Sequence, residues 1–569
     1  MKKIISIISV VILAVLINAC SEDKFLRVNT DANAMSIEDL KADLGFGTRF
    51  ASLLNNLHAA QTGEDLTYDH YVRHMGTNTD FLGNSNNTTY TIEGGWNNQM
   101  WNTIYDNVMG PAHQIKKLAE DAELPLFYAW ADLLQLYGLT KATVYYGPLI
   151  YSEYGILQDY YEYDTEKELY EQFFEKLDVL QAEFAKHLND PVTTGQLTKF
   201  DTSTLKGDLA KWLQMINSLR LRLAVRISKA DPITAKREGE KAMSDPVGLI
   251  LTNANNFARS LNGGTALLWT MSESWNDTRM GAGLEEVLVG LKDPRAHAWF
   301  QPAEAAVIPA GRDAEWPYKG VSGGSFISSG KGQREAFSRV SNNFAQPNWN
   351  IKMYIDAAEV NFALAEARLR GWSGSIQNNT VQYYYEEGVK RSWEFWQDMQ
   401  KGGKNGHKMM EDYDVDAYLN DDTSMPLPNI VDVFDARNNY TSRMIDPDAY
   451  TVKWNDGVGP ERKLERIILQ KWIAAYNNAN EVWSDHRRTG YPKLSFNRKN
   501  DKNTTVGVVE DNDFLKRMPF TATDKNVNLA FDPELQLPQS KLGGPDLINT
   551  PLWIHTPWVD HSNPDNKLP

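Results

Sequence analysis

The chain has 569 residues and a formal net charge of −16, with 58 Lys and Arg against 74 Asp and Glu. This acidity excludes the usual mode of nucleic-acid binding, in which Lys and Arg neutralise phosphates, and a polybasic contact with anionic lipid. The single cysteine excludes a disulfide within the chain, so the fold must be stabilised by its core.

The first twenty residues have the layout of a secretory signal. Lys2 and Lys3 precede an apolar run over residues 4–17, which is too short to span a bilayer, and Ala19 precedes Cys20. This end resembles a bacterial lipobox. We therefore predict a signal peptide over 1–19, cleavage before Cys20 and acylation of Cys20 with palmitate-like chains. The alternative is an ordinary signal peptide with an incidental cysteine.

A tether is predicted over residues 20–35, between the acylated cysteine and the folded part of the chain. It begins with Ser21, Glu22 and Asp23, and this acidic pair resembles the surface-export signal of some Gram-negative lipoproteins. Because each buried methylene contributes about 0.8 kcal/mol, two or three acyl chains hold a protein firmly. The sequence therefore predicts permanent anchoring without a transmembrane helix.

Apolar residues recur every three to four positions in five stretches, which predicts amphipathic helices. These stretches lie at about 165–188, 208–228, 352–371, 380–400 and 461–483. Thr165 and Glu168 form a capping box at the start of the first, and Gly371 is the predicted end of the third. Helices joined by short loops suggest a stacked helix-pair scaffold, in which the sequence shows no fixed repeat period.

Long stretches rich in Gly, Asn, Ser and Pro separate the helices. They cover about 76–99, 244–350, 401–460 and 500 onward. Ordered loops of this length are usually functional. We therefore predict a mostly α fold, with a single domain over 36–569 that contains a loop-rich insertion at about 244–350.

Four segments, in order along the chain, resemble the SusD/RagB family of surface glycan-binding lipoproteins. They are Leu136-Tyr137-Gly138 with residues 146–153 (YGPLIYSE), residues 217–228 (NSLRLRLAVRIS), residues 358–372 (AEVNFALAEARLRGW) and residues 464–492, which end in RRTGYP. The resemblance spans nearly the whole mature chain and includes the lipobox. Residues 139–145 depart from the family pattern and look like an insertion.

The resemblance implies a fold, a partner and a location. The fold is a scaffold of tetratricopeptide-like helix pairs with long irregular loops that form the ligand face. The partner is a SusC-like TonB-dependent β-barrel transporter, over which the lipoprotein closes as a lid. The location is the outer membrane, facing the cell exterior. The implied function is capture of an oligosaccharide and its delivery to the transporter, without catalysis and without a cofactor.

Aromatic residues in the loops are the candidate ligand contacts, because sugars present flat C–H faces that stack on rings and hydroxyls that bond to amides and charged groups. The candidates are Trp96, Trp275, Asn276, Arg279, Trp299, Trp316, Tyr318 and Trp349. Packing of these loops against the core is the alternative interpretation. Aromatics in helical stripes, namely Trp101, Tyr105, Trp130, Trp212 and Trp472, are predicted to be core.

Two motifs that suggest other chemistry fail on physical grounds. Ser484, Asp485 and His486 are adjacent on a predicted helix, so their side chains point to different faces and cannot form a relay. Residues 411–416 are acidic but lack the glycine and the closing glutamate of a calcium loop, so no metal is predicted. Two functions remain as alternatives to glycan binding: peptide binding by a member of the same family, and a lipid-anchored glycoside hydrolase with two carboxylates.

Overall fold

The computed structural model describes residues 37–59, 61–80, 86–156, 161–261, 263–327, 334–401, 408–502, 505–521 and 541–560. The predicted signal peptide, Cys20 and the tether lie outside these residues. The chain divides into two units, Met1–Thr48 and Arg49–Pro569. The predicted domain bounds stay a prediction. Among the described helices, none combines the length and apolarity that a membrane span requires.

The scaffold is built from the longer helices of the described residues, which we number in chain order. They are α1 Ile37–Asn56, α2 Gly94–Ile104, α3 Gly110–Asp121, α4 Pro125–Tyr146, α5 Glu166–Lys186, α6 Pro191–Phe200, α7 Leu209–Arg226, α8 Pro232–Ser244, α9 Ala357–Leu369, α10 Val381–Gln400, α11 Pro460–Ala474 and α12 Asn480–Thr489. Short α-helices lie at Tyr68–Tyr71, Leu267–Trp269, Ala282–Leu284, Arg295–Trp299, Val415–Leu419 and Pro447–Tyr450.

The strands are short and form antiparallel pairs. They are β1 Met75–Thr77, β2 Phe257–Ser260, β3 Thr278–Met280, β4 Ile351–Ile355, β5 Asn429–Ile430 and β6 Tyr440–Thr441. The pairs are β1 with β3, β2 with β4, and β5 with β6. Two of these pairs involve strands of the region 244–350, so this region is held to the rest of the fold by β1 and by β4.

Helices close in sequence pack as pairs, which confirms the predicted mostly α, helix-pair fold. Helix α3 packs on α4, α7 packs on α5 and α8, and α9 packs on α10. Helix α11 contacts both α9 and α10, and thereby joins the C-terminal helices to an earlier pair.

Local capping explains where helix α5 begins. The Thr165 hydroxyl accepts a hydrogen bond from the Glu168 backbone N–H at 3.2 Å, and the Glu168 carboxylate accepts from the Thr165 N–H at 2.7 Å. These two bonds are the predicted capping box, and they satisfy two N–H groups that a helix start leaves unpaired.

The structure corrects the predicted bounds of two helices. The third predicted helix starts at Ala357 rather than near 352, because residues 351–355 form β4 against β2 and Asp356 then caps the helix. The fifth predicted helix is divided into α11 and α12. Between them Asn477 takes a positive φ of 64°, a conformation that interrupts an α-helix.

The segment around residues 139–145 is a further correction. It is not an inserted loop but the last two turns of α4, whose residues from Ala129 onward are buried. The helix is buried around its whole circumference, including the charged Asp132 and Lys141, and it shows almost no amphipathic period, so periodicity does not reveal it. It ends at Gly147, whose φ of 96° is one that residues with a side chain rarely adopt.

Three of the four family-like segments meet in a set of buried ion pairs. Arg222 of α7 contacts Glu359 of α9 at 2.6 Å, and Arg226 of α7 contacts Glu481 of α12 at 2.5 Å. Arg488 of α12 contacts Glu366 of α9 at 2.6 Å. These side chains are at most 9 % exposed, so each charge depends on its partner for compensation. The segments therefore act in the scaffold, where they fix how α7, α9 and α12 meet.

The C-terminal segment is attached to the start of α5 through a buried carboxylate. The Trp553 backbone N–H donates to Glu166 Oε2 at 2.5 Å, whereas Oε1 is buried without a partner among the described residues. Burial raises the pKa of Glu166 to about 8, and the hydrogen bond from Trp553 opposes this increase.

Glu166→Gln is therefore expected to flatten the dependence of stability on pH. The folded-state pKa of Glu166 exceeds its unfolded value, so its stabilising contribution is complete below about pH 4.5 and is lost as the pH rises towards 8. Glutamine stays neutral and can still accept from Trp553. Thermal unfolding midpoints between pH 5 and 8.5 should fall less in the variant than in the wild type. The control is Glu171→Gln, at an exposed residue of the same helix, and parallel wild-type and Glu166→Gln curves would contradict the prediction.

Candidate ligand-binding site

Four of the eight candidate residues have buried aromatic rings. Trp299, Trp316, Tyr318 and Trp349 are at most 3 % exposed, so their faces are covered by neighbouring side chains. This placement corrects the expectation that they form an exposed ligand surface. It agrees instead with the alternative of loop-to-core packing, because large rings that bury their surface stabilise the long loops that carry them.

Two aromatic clusters account for this burial. Trp299 stacks on Tyr476 with ring centroids 4.4 Å apart, and Trp349 lies 5.7 Å from Trp396. In the second cluster Trp316 stacks on His297 at 4.6 Å, and Tyr318 contacts the same imidazole through its hydroxyl. The first cluster connects the region 244–350 to the helical scaffold, whereas the second packs residues of that region against one another.

Among the predicted core aromatics, the structure confirms burial of Trp101, Trp130, Trp212 and Trp472. Tyr105 is only half-buried.

Trp96 lies in the first turn of α2 and is half-buried. Its backbone N–H donates to Glu93 Oε2 at 2.7 Å, which caps the helix. The neighbouring Asn97 donates from its side chain to the carbonyl of Pro519 at 2.8 Å. The structure therefore places this turn against the segment 505–521, and a role of Trp96 in ligand binding stays a prediction.

Trp275 is the most exposed of the candidate rings, with 40 % of its surface accessible. It follows a π-helical turn over Thr270–Ser274, and Trp269 comes directly before that turn. Trp269 is half-buried, and its indole N–H donates to Asn342 Oδ1 at 3.0 Å. The two indoles therefore lie at opposite ends of one turn.

A set of polar side chains connects the Trp269 indole to Glu273 of the turn. Glu273, on the same turn, accepts from Gln301 at 2.8 Å and from Arg339 at 3.2 Å. Gln301 also approaches Asn342 at 3.4 Å. We call this surface the Trp269–Trp275 platform, and it consists of Trp269, Glu273, Trp275, Gln301, Arg339 and Asn342.

Arg279 and Asn276 support the platform from beneath. The Arg279 guanidinium is buried and donates to Asn276 Oδ1 and, at 3.1 Å, to the Ser272 carbonyl of the π-helical turn. Burial lowers the pKa of Arg279 to about 10, so the side chain keeps its charge at neutral pH. Of these two predicted ligand contacts, Arg279 is placed to hold the turn in position rather than to reach the surface.

The pairing of β1 with β3 brings a distant part of the chain to this site. Gly76 lies opposite Arg279, and the Asn78 backbone N–H donates to the Asp277 carbonyl at 3.1 Å. The Asn78 side chain is buried, and neither of its polar atoms finds a partner among the described residues. An unpaired buried amide costs about 1–3 kcal/mol, so this position is unfavourable for folding and is available to a further polar partner.

The platform can bind a ligand that has both an apolar face and hydroxyl groups. An exposed indole offers stacking, while the neighbouring carboxylate, amides and guanidinium offer hydrogen-bond donors and acceptors. Sequence reasoning missed Trp269, Glu273, Gln301, Arg339 and Asn342. A tryptophan six residues before Trp275 in the same loop-rich region is a signal that could have identified Trp269. Glu273 lies two residues before Trp275, but no sequence signal connects this turn to Gln301, Arg339 and Asn342, which come from elsewhere in the chain.

The two rejected motifs have structural roles in the described residues. Ser484 contacts His555, Asp485 pairs with Arg488 and Lys471, and His486 contacts the Pro492 carbonyl. The three side chains thus have separate partners, as predicted. In residues 411–416, Asp414 caps the short helix Val415–Leu419. No group of three His, Cys, Asp or Glu in the described part of the chain is arranged to hold a metal ion.

A helix-pair scaffold that presents an aromatic and polar platform on long loops defines a ligand-binding protein. A family model described as SusD-like, the SusD and RagB outer membrane lipoproteins, matches residues 27–555. The chain therefore belongs to the SusD-like family, and its location is the outer membrane. No match was found among curated proteins.

Solved structures support this assignment. A chitin-binding SusD homologue from Flavobacterium johnsoniae is 32 % identical, with 90 % of this chain and 98 % of that chain covered and a TM-score of 0.77. A SusD homologue from Bacteroides vulgatus is 27 % identical, with coverages of 92 % and 99 % and a TM-score of 0.78. Another from Bacteroides uniformis is 28 % identical, with coverages of 90 % and 99 % and a TM-score of 0.76.

Proposed function

We propose that this protein captures an oligosaccharide on the Trp269–Trp275 platform at the outer face of the outer membrane. In this proposal it passes the sugar to a SusC-like TonB-dependent transporter and catalyses no reaction. The supporting observation is that the exposed Trp275 ring follows Glu273 by two residues, and that Glu273 accepts from Gln301 and Arg339. An exposed ring and a hydrogen-bonded polar set on one turn suit the apolar face and the hydroxyls of a sugar. The similarity to a chitin-binding homologue makes β-1,4-linked N-acetylglucosamine the first ligand to test.

Trp275→Ala is expected to weaken oligosaccharide binding by about tenfold or more, since it removes the exposed stacking surface of the platform. The measurement is calorimetric titration of residues 21–569 with chitohexaose and with other neutral oligosaccharides. A matched control is Tyr383→Ala, at an aromatic that is 46 % exposed on α10. If Trp275→Ala and the control bind every sugar equally well, the platform is not the glycan site.

The two alternatives give different results in the same experiment. A member of the family that imports peptides would bind peptides and no glycan in the panel. A lipid-anchored hydrolase would convert the oligosaccharides to shorter products during prolonged incubation, and replacing one carboxylate would abolish that turnover.

A further inference from the structure

A polar cavity lies on the helical scaffold, where helix α5 faces the helix pair formed by α3 and α4. Its volume is about 420 Å³. The lining side chains come from these three helices and from the loop that follows α4; they are Lys116, Asp132, Tyr151, Ser152, Gln172, Glu175, Lys176 and Val179. We call it the α3–α5 groove. Its size is within the range of small-molecule sites.

A buried carboxylate organises the floor of the groove. Asp132 is 3 % exposed and accepts from Lys116 at 2.9 Å and from Lys176 at 3.1 Å. Lys116 also donates to Gln135 at 2.6 Å. Both oxygens of Asp132 are therefore occupied, and a ligand cation would have to displace a lysine. Lys176 is 35 % exposed and has three donor hydrogens, so it can donate to a ligand while it still contacts Asp132.

Two tyrosines, Tyr128 and Tyr151, lie near enough to the Asp132 carboxylate to be affected by its charge. Lys116 Nζ is 5.7 Å from the centroid of the Tyr128 ring, which is 37 % exposed. The Tyr151 ring is half-buried against Phe173, and the Tyr151 and Ser152 N–H groups donate to Asp164, which fixes the loop. Burial and the Asp132 charge raise the pKa values of Tyr128 and Tyr151, so both phenols remain protonated and can donate.

The charges of the groove cancel. Its lining has two lysines and two carboxylates, together with an amide, a hydroxyl and an aromatic ring. A ligand with a net charge gains little from such a lining, whereas an uncharged ligand with many hydroxyls finds both donors and acceptors. Aromatic rings beside hydrogen-bonding groups suit a pyranose for the same reason as on the platform.

We propose that the α3–α5 groove is a second binding site for a short neutral carbohydrate, separate from the Trp269–Trp275 platform. Two sites on one protein can engage one polysaccharide chain, which raises the apparent affinity for long glycans over short ones without any new contact.

The test uses residues 21–569 carrying Trp275→Ala, so that binding to the platform does not hide the groove. The probes are neutral trisaccharides of glucose, xylose, mannose, galactose and N-acetylglucosamine, with trigalacturonate as the charged comparison. We expect one neutral trisaccharide to bind, and Tyr151→Ala or Lys176→Met, each at a residue that lines the groove, to weaken that binding by about tenfold. The controls are Tyr383→Ala and Lys167→Ala, the latter at a 59 % exposed lysine of the same helix α5.

Three results would overturn the proposal. The first is that no neutral trisaccharide binds the Trp275→Ala protein. The second is that Tyr151→Ala and Lys176→Met bind as well as their controls. The third is that only trigalacturonate binds. The two sites are tested separately, because binding to the platform is measured in the protein that keeps Trp275. If no sugar binds in the groove, the proposed function of the platform is unaffected. If no sugar binds on the platform, binding in the groove can still be measured in the same way.

Discussion

Replacing Arg488 by alanine is expected to lower the free energy of unfolding by about 3–5 kcal/mol. The Arg488 guanidinium is fully buried and donates to both oxygens of Glu366 at 2.6 Å and to Asp485 at 2.5 Å. Removing it leaves two buried carboxylates without their main counter-charge. The lowered pKa of Glu366, about 2, has the same origin, since Arg488 opposes the effect of burial.

Equilibrium unfolding in denaturant, followed by circular dichroism at neutral pH, measures this loss. Arg437→Ala is the matched control, because Arg437 makes a similar contact to Asp435 at 2.6 Å but its side chain is 64 % exposed. The control should unfold as the wild type does, because exposed ion pairs contribute little. An Arg488→Ala protein as stable as the control would show that the contact with Glu366 is dispensable.

Replacing Cys20 by alanine is expected to release the protein from the outer membrane while leaving its affinity for ligand unchanged. In the predicted lipidation, acyl chains on Cys20 supply the anchor. Each buried methylene contributes about 0.8 kcal/mol, so losing two or three chains would remove nearly all of the membrane affinity. The described residues offer no helix that could replace it as a membrane span.

Fractionation of cells that express either form, followed by immunoblotting of the membrane and soluble fractions, checks this prediction. Ser21→Ala is the control, since it changes the next residue without removing the thiol. If the Cys20→Ala protein stays in the outer membrane fraction, contact with a transporter holds it there and the lipid is not the main anchor.

Much of the scaffold could be predicted because its signals are local. When apolar residues recur every three to four positions, the sequence alone indicates which face of the helix is buried, as in α5, α7 and α10. The capping box of Thr165 and Glu168 likewise depends only on four consecutive residues. Helix α4 was not predicted because its apolar residues surround the helix axis instead of forming one stripe, so no helical period could be read from them.

The candidate site was predicted less well. Trp275 and Asn276 were recognised from their polar neighbours in sequence. Glu273, Gln301 and Arg339 come together only when separate loops fold over the scaffold, so no spacing along the chain reports their contact. The same holds for the α3–α5 groove, whose lining residues are carried by three helices.

The sequence by itself determined that this chain is a helical member of the SusD-like family. The buried arginines and glutamates lie in three of the four segments that resemble the family, but their pairing became visible only in the structure. Only the tertiary structure decided which tryptophans are exposed. Trp275 and Trp316 lie in loops of similar composition, yet one is 40 % exposed and the other 3 %. The physical reason is that burial of a ring depends on neighbours from distant segments, here His297 and Tyr413 around Trp316.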